Sequence, residues 1–294
     1  MIPYFEQPSL RLGPVTVHAF GALVATAVVV GYSLAVRRSK RGGLAAEVTE
    51  NLLLWGLLGG FAVAHVFAVL LYFPGDLRRN PLILLRFWED LSSFGGFFGG
   101  ALAIALYFRT RHPGLDRRTR RAYLDAVAYS FPFAWIFGRF ACTVAHDHPG
   151  RITRFPLAVS LASPSARGYL RGVYESAGLG ASLPADPVLA TMGFHDLGWY
   201  EFLYTVAVLV PVFLLLDRRP RPPGFFLAAL VLLYAPVRFA LDFLRVSDAR
   251  YFGLTPAQYS AILALLFGFF ALRNRTVAEP RAHARGLSNR AGIF

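Results

Sequence analysis

Apolar residues along this chain fall in long blocks separated by short polar segments, and they do not alternate with polar residues as in a half-buried strand. A helix needs about 20 residues to cross the roughly 30 Å hydrocarbon core of a bilayer. Apolar blocks of about that length lie near residues 15–36, 51–73, 93–109, 122–142, 199–217, 224–245 and 255–272. The pattern therefore predicts an all-α polytopic membrane protein with about seven transmembrane helices.

Two stretches lie outside these blocks. Residues 143–198, between the fourth and fifth blocks, are rich in Pro, Gly, Ser and Ala, and loops of this length often bind substrate. Residues 276–294 are basic and lack an apolar pattern, which predicts a disordered tail. The expected organisation is a single transmembrane domain over residues 1–275, with residues 143–198 inserted as a loop or cap, followed by the tail.

The positive residues are distributed unevenly between the blocks. Lys and Arg number four in residues 37–50, six in 109–121, three in 218–223 and five from residue 273 onwards, which makes eighteen on one side. The loops of the opposite side hold nine. Because short cytoplasmic loops are enriched in Lys and Arg, the N-terminus and the cap are predicted to be periplasmic and the C-terminus cytoplasmic.

The composition supports a membrane protein and excludes several other classes of protein. Hydrophobic residues make up 55% of the chain and charged residues only 16%, as in a membrane protein. The formal net charge of +13 comes mostly from the short loops and the tail, where it suits anionic lipid headgroups, and no nucleic-acid partner is predicted. The single cysteine excludes an intramolecular disulfide framework and a multi-cysteine metal site, and no cofactor is predicted.

The candidate chemistry begins at Arg139, near the end of the fourth apolar block. A guanidinium near hydrocarbon costs about 2.5–3.5 kcal/mol on insertion scales, so Arg139 needs an anionic partner, or else it snorkels to the interface along apolar surface. Asp125 on the same predicted helix is about 21 Å away and cannot be that partner. Four reactive side chains follow within nine residues of Arg139 and offer a thiol, two imidazoles and a carboxylate: Cys142, His146, Asp147 and His148. So many reactive groups in a short segment beside an apolar block suggest chemistry on a lipid.

The sixth apolar block carries a polar stripe. Tyr234, Arg238 and Asp242 recur every four residues and Arg245 follows three later, so these side chains share one helical face. Arg238 and Asp242 could simply neutralise each other within the bundle. If the stripe faces Arg139, however, two guanidiniums converge in a low-dielectric site, where their N–H forks match the oxygens of a phosphate.

Small residues open the third apolar block. Gly95, Gly96, Gly99 and Gly100 form a strip that lets a lipid chain approach the backbone closely, or that serves close packing against another helix.

These residues and their surroundings resemble the prolipoprotein diacylglyceryl transferase family. The resemblance covers nearly the whole chain, although most of the matches are apolar patterning. Its more specific positions are Arg139, Arg238, Tyr234, the Tyr200–Glu201 pair and Gly150. The matching stretches are LGPVTVHAFG (12–21), NPLILLRFWED (80–90), FGGFFGG (94–100), GRFACTVAHDHPGR (138–151), HDLGWYEF (195–202), RPPGFF (221–226), LLYAPVRFALDFLR (232–245) and GLTPAQY (253–259).

The resemblance implies a seven-span enzyme of the bacterial inner membrane. Such an enzyme moves the diacylglyceryl group of phosphatidylglycerol to the lipobox cysteine thiol of a prolipoprotein signal peptide and releases glycerol phosphate. It implies that Arg139 and Arg238 hold the phosphate and stabilise the charge of the leaving group. Asp147 stands where the family signature GRxGNFxNGExxG has glutamate. The residues expected to bind substrate are Arg139, Asp147, Gly150, Tyr234, Arg238, Asp242, Gly95 and Gly96.

The chain departs from the family at several positions. Phe94 replaces the family's histidine, Cys142 and Ala145 replace its signature asparagines, and Phe20 replaces a tyrosine. A phenylalanine cannot accept the proton of the acceptor thiol. His146 and His148, the histidines nearest to Arg139 in sequence, are therefore the candidate general bases and join Arg139 and Arg238 in the expected catalytic set.

Two other functions remain open at this point. The chain could be a non-catalytic homologue that binds anionic phospholipid or lipoprotein. Alternatively, His146, Asp147, His148 and His195 could bind zinc for membrane-bound hydrolysis, because three imidazoles and a carboxylate suit that ion.

Overall fold

The computed structural model of the chain describes residues 1–13, 15–86, 91–246, 248 and 250–276, and it is mostly helical. The α-helices are α1 (Ala19–Arg41), α2 (Ala46–Leu71), α3 (Pro74–Arg79), α4 (Ser93–Arg111), α5 (Arg117–Ala145), α6 (Pro164–Ser176), α7 (Asp186–Leu189), α8 (Leu197–Tyr204), α9 (Val210–Leu216), α10 (Phe225–Leu241) and α11 (Pro256–Thr276). Short 3₁₀ turns span Pro81–Leu85, Gly180–Ser182 and Asp242–Leu244, and a π-helix, Thr205–Leu209, joins α8 to α9. The strands are β1 (Ser9–Leu12), β2 (Val15–His18), β3 (Pro149–Thr153), β4 (Val159–Ser160) and β5 (Gly193–Asp196).

Within the described residues, five helical segments are long and apolar enough to cross a membrane: Ala19–Arg41, Ala46–Leu71, Arg117–Ala145, Leu197–Leu216 and Phe225–Leu244. The other two predicted segments, 93–109 and 255–272, are also helical, as α4 and α11, and α11 contains the shorter apolar stretch Pro256–Phe270. The prediction of an all-α membrane protein is confirmed.

Polar side chains fix where the helices begin. Asp116 accepts the backbone N–H groups of Arg118 and Thr119, at 2.8 and 3.0 Å, and so caps the N-terminus of α5. Buried Asp125, inside α5, accepts the N–H groups of Gly224 and Leu227 at the start of α10. Because a carboxylate stabilises the positive end of a helix, Asp125 docks α10 against α5.

Glycines allow α2 and α4 to pack backbone to backbone. A Cβ added to Gly59 of α2 would lie 2.3 Å from Ala103 Cβ of α4, and one added to Gly99 of α4 would lie 2.4 Å from Val63 Cβ of α2. Both distances are shorter than real carbon contacts allow. The alternative of close helix packing, stated for this strip from the sequence, therefore holds in the structure.

Residues 143–198 fold into a cap with a core of its own. Strand β5 lies between β3 and β4 in an antiparallel sheet of order β3-β5-β4. Helix α6 packs Leu170 against Phe194 of β5 and Leu161 beside β4, and all three side chains are fully buried. The sequence predicted a loop or cap here without a packed core, because the core joins short strands and a helix that are distant from one another along the chain.

The N-terminal residues reach the same cap. The N–H of Ile2 donates to Ala158 O at 2.8 Å, and the N–H of Ser160 donates to Ile2 O at 2.7 Å, so that Ile2 pairs in parallel with Val159 of β4. The predicted tail 276–294 lies, beyond Thr276, outside the described residues.

Candidate functional site

A buried polar cluster lies where α5, α8 and α10 meet. Arg139 comes from α5, Glu201 from α8, and Tyr234 and Arg238 from α10, which Asp242 follows directly. Each of these residues is buried, Glu201 and Asp242 completely. The structure thus brings Arg139 together with Tyr234, Arg238 and Asp242 of the stripe, as the sequence predicted, whereas Arg245 pairs with Asp248.

Glu201 joins the two arginines. Its Oε2 lies 2.9 Å from Nε of Arg139, and its Oε1 accepts Nη1 of Arg238 at 3.1 Å. The hydroxyl of Tyr234 donates to Glu201 Oε2 and accepts Nη2 of Arg139 at 3.0 Å. Arg139 therefore has the anionic partner that its position requires.

The second arginine has a further carboxylate. Nη2 of Arg238 lies 3.1 Å from Asp242 Oδ1, one helical turn later. The hydroxyl of Thr255, just before α11, donates to Asp242 Oδ2. Two guanidiniums thus face two carboxylates, and the cluster carries no net charge when all four groups are ionised. A phosphate entering it has to displace or share a carboxylate.

Local structure aims Arg139 and Glu201 at each other. The Arg139 guanidinium lies 4.4 Å from the ring centroid of Trp135, one turn earlier on α5, in a cation–π contact. Glu201 lies one turn before the π-helix Thr205–Leu209, and the Thr205 hydroxyl donates to its carbonyl oxygen at 2.7 Å. Single π turns inside α-helices occur often at functional sites, and here the widened turn follows the carboxylate that both arginines share.

A second cluster adjoins the first at the C-terminal end of α5. Nη1 of Arg139 lies 3.6 Å from Sγ of Cys142. Potential ligand atoms of Cys142, Asp147 and His148 all lie within 4.8 Å of one another, and Nδ1 of His148 is hydrogen-bonded to Asp147 Oδ1. A thiol, an imidazole and a carboxylate therefore stand beside the guanidinium pair.

Asp147 is ionised in this setting. Burial raises the pKa of its carboxyl, but His148 and the more distant Arg139 lower it by more, so the pKa lies below its ordinary value. A folded-state pKa below the unfolded value stabilises the protein above the unfolded pKa. That stabilisation is lost as the pH falls through the folded-state value.

His146 is engaged elsewhere. It ends α5 in the left-handed conformation, with φ of 50°. Its Nδ1 lies 2.6 Å from Asp196 Oδ2, its Nε2 lies 3.2 Å from the carbonyl oxygen of Phe5, and the ring of Tyr4 stacks on it at 4.8 Å. Both ring nitrogens of this buried histidine thus face protein acceptors, and the residue ties the N-terminal segment to the cap.

The four residues of the alternative zinc site are not brought together. His146 turns to Asp196, and Nδ1 of His195 lies 2.8 Å from the Tyr200 hydroxyl. Burial lowers the pKa of His195 below its ordinary value, which keeps its imidazole neutral at neutral pH. Only Asp147 and His148 of that set remain together, and Cys142 is their third neighbour.

The glycines predicted to bind substrate differ in their surroundings. A Cβ on Gly95 would lie 2.5 Å from Phe67 Cβ, whereas one on Gly96 would meet nothing nearer than 3.9 Å. A Cβ on Gly150 would lie 2.8 Å from Leu244 O and 2.9 Å from His195 Cβ. Gly150 therefore lets the cap approach the end of α10 closely, and Gly96 alone of the three has room beside it.

Sequence reasoning overlooked the residue at the centre of the site. Glu201 was noted only for its match to the family, although a carboxylate inside the apolar run GWYEFLYTVAVLV needs a cation as much as Arg139 needs an anion. Thr255 gave no such signal, because threonine is common near helix starts.

Comparisons with known proteins find one family. The family model described as prolipoprotein diacylglyceryl transferase matches residues 8–273. Similar relatives carry the name phosphatidylglycerol-prolipoprotein diacylglyceryl transferase. That of Cronobacter sakazakii is 31% identical over 261 residues, covering 85% of this chain and 84% of the relative. That of Sodalis glossinidius is 30% identical, with 84% of each chain covered, and that of Chromohalobacter salexigens is 29% identical, with 84% and 82% covered.

Proposed function

Because the chain belongs to the prolipoprotein diacylglyceryl transferase family, we propose that it transfers the diacylglyceryl group of phosphatidylglycerol to the lipobox cysteine of a prolipoprotein, in the maturation of bacterial lipoproteins. It is a multi-pass protein of the bacterial cytoplasmic membrane. The observation that carries the proposal is the meeting of Arg139 and Arg238 at buried Glu201. Two guanidiniums held within one buried cluster suit a phosphodiester that enters from the lipid.

Seven membrane crossings complete the proposed arrangement. Helices α4 and α11 add two crossings to the five long apolar segments. The N-terminus and the cap then face the periplasm and the C-terminus faces the cytoplasm, in accord with the eighteen Lys and Arg residues on one side of the predicted spans. The acceptor cysteine of a translocated precursor would reach the cap side of the site.

In the reaction, the lipid phosphate takes over part of the role of the carboxylates. Its oxygens accept N–H groups of Arg139 and Arg238, and Glu201 or Asp242 gives up contacts to them. The acceptor thiolate attacks the glycerol carbon, the carbon–oxygen bond to phosphate breaks, and glycerol phosphate leaves. Negative charge grows on the phosphate as that bond breaks. The two guanidiniums, which Tyr234 contacts, therefore stabilise the transition state more than they stabilise the bound lipid.

The acceptor thiol must lose its proton, since the thiolate is the nucleophile. His148 is the better placed of the two candidate bases, because it lies with Asp147 beside Arg139, whereas both ring nitrogens of His146 face protein acceptors. Asp147 holds the His148 imidazole in position. Gly150 and Gly95 act by allowing close packing around the site, and Gly96 lies in the same α2–α4 contact, because an added Cβ there would meet Ala64 Cβ and Gly60 O at 3.9 Å.

Replacement of each arginine by lysine tests the phosphate site. Lysine keeps the charge but loses the planar fork, so Arg139→Lys and Arg238→Lys should each lower transfer by at least about tenfold, equivalent to about 1.4 kcal/mol. Transfer is measured from labelled phosphatidylglycerol to a lipobox peptide in membranes with matched protein levels. Arg38→Lys is the control, because Arg38 pairs with Asp217 away from the cluster. Full transfer by both cluster variants would refute the phosphate site.

A further inference from the structure

The three side chains beside the arginine pair form a set of metal ligands. Cys142, Asp147 and His148 offer one thiol sulfur, one carboxylate oxygen and one imidazole nitrogen, all within 4.8 Å of one another. Ligand atoms around a tetrahedral zinc ion lie about 2.0–2.3 Å from the metal, and hence about 3.5 Å from one another. To bind such an ion, the Cys142 sulfur has to approach the other two atoms, and the hydrogen-bonded Asp147 oxygen and His148 nitrogen have to separate.

The charges around the set favour a cation. Arg139 and Arg238 supply two positive charges, whereas Glu201, Asp242 and Asp147 supply three negative ones, which leaves one net negative charge when His148 is neutral. The thiolate form of Cys142 adds another. Arg139 does not block the ion by its own charge, because Glu201 lies 2.9 Å from its Nε.

The local backbone places the three ligand residues next to one another. Cys142 lies in the last turn of α5, and the left-handed residue His146 turns the chain so that Asp147 and His148 return beside it. The N–H of Asp147 donates to the carbonyl oxygen of Cys142 at 3.4 Å, closing this turn. The donors are thus held by a helix end and a tight turn.

We propose that Cys142, Asp147 and His148 form a site for a divalent cation of the Zn²⁺ class. The ligand types select the ion, because thiolate and imidazole prefer Zn²⁺ over Mg²⁺ or Ca²⁺. Three protein ligands leave the fourth position of a tetrahedral ion open. The site shares His148 and Asp147 with the proposed transfer reaction, in which His148 is the base, so its test measures metal binding itself and does not depend on activity.

Cobalt provides a direct probe. Co²⁺ occupies zinc sites and gives a near-ultraviolet charge-transfer band when a thiolate binds it. The chain has a single cysteine, so such a band can arise only from Cys142. Chelator-treated, reduced protein in detergent should develop the band to saturation at one equivalent of Co²⁺, and Zn²⁺ should abolish it. Absence of the band at stoichiometric Co²⁺ would overturn the proposal.

The other two ligands are tested by affinity. His148→Ala and Asp147→Asn should each weaken Zn²⁺ binding, measured by equilibrium dialysis, by at least about tenfold, and the cobalt band should shift. His112→Ala is the matched control, because His112 contacts Tyr107 at the other end of the helices, and its binding should equal that of the unmodified chain. If both ligand variants bind zinc as tightly as the control, the thiol binds alone and the three-residue site is refuted.

Discussion

Glu201 is held by neighbouring side chains. It is fully buried, and each of its oxygens lies within about 3 Å of a different arginine. The sequence predicted the two arginines and the stripe that contains Tyr234, because charges in apolar blocks and a four-residue period can be read directly. It could not show which anion Arg139 would find, since the contact joins helices about sixty residues apart in the chain.

We expect Glu201→Gln to destabilise the protein by about 3–5 kcal/mol, because removal of one partner leaves buried guanidiniums uncompensated. Thermal unfolding in detergent measures the effect. Asp217→Asn is the matched control. It removes the carboxylate of the half-exposed Arg38–Asp217 pair, which should cost less than about 1 kcal/mol. Equal losses in the two variants would contradict a special role for Glu201.

A lipid phosphate should replace part of the missing charge in the Glu201→Gln variant. Phosphatidylglycerol should therefore restore more of its unfolding midpoint than diacylglycerol does, since diacylglycerol lacks the phosphate. If both lipids restore the midpoint equally, the arginines do not bind the phosphate.

His148 and His146 should respond differently to alanine substitution. We expect His148→Ala to lower transfer by about 10²–10⁴-fold, the usual contribution of a general base, with a smaller decrease in the unfolding midpoint than His146→Ala causes. His146→Ala should lower the unfolding midpoint, because it removes the contacts with Asp196 and Phe5. Transfer assays and thermal unfolding on the same samples distinguish the two effects.

Phe94→His, which restores the family residue, should recover part of the transfer lost in His148→Ala. Transfer that appears only after Phe94→His would support the non-catalytic homologue.

At the scale of elements, the long helices were predicted, whereas the cap was predicted only as an inserted loop or cap and its packed core was not. Apolar blocks specify membrane helices because lipid demands about 20 consecutive apolar residues. The cap core is built instead from side chains spread over short strands and α6, among them Leu161, Leu170 and Phe194. Such a core depends on contacts between segments that are distant along the chain, and these contacts leave no periodic pattern in the local sequence.

The packing of α4 on α2 makes a quantitative test possible. Gly99→Ala would place a methyl group 2.4 Å from Val63 Cβ and 2.5 Å from Gly59 O, and we expect the overpacking to cost about 1–3 kcal/mol. Gly21→Ala in α1 meets nothing within 4 Å, so it should be neutral or stabilise by up to about 1 kcal/mol. Unfolding midpoints of the two variants in one detergent give the comparison, and a stable Gly99→Ala variant would mean that the helices are farther apart.

On the scale of the whole molecule, the proposed seven-span topology places the cap on one face of the membrane and the C-terminus on the other. We expect a fluorescent reporter fused after residue 273 to be active in the cytoplasm, because eighteen Lys and Arg residues lie on that side of the predicted spans. A phosphatase inserted after exposed Leu179 in the cap should be active in the periplasm. A phosphatase that is active only at the C-terminal position would refute the seven-span topology.

The pairing of Ile2 with Val159 sets the order in which the protein can be completed during its synthesis. At about 5–20 residues per second, the ribosome needs on the order of ten to thirty seconds to add the residues between these two partners. Throughout that interval the first residues cannot pair with β4, because β4 has not been synthesised. The first segment to be made is thus among the last to fold, and the contact between the carbonyl oxygen of Phe5 and His146 forms only after the cap has been synthesised.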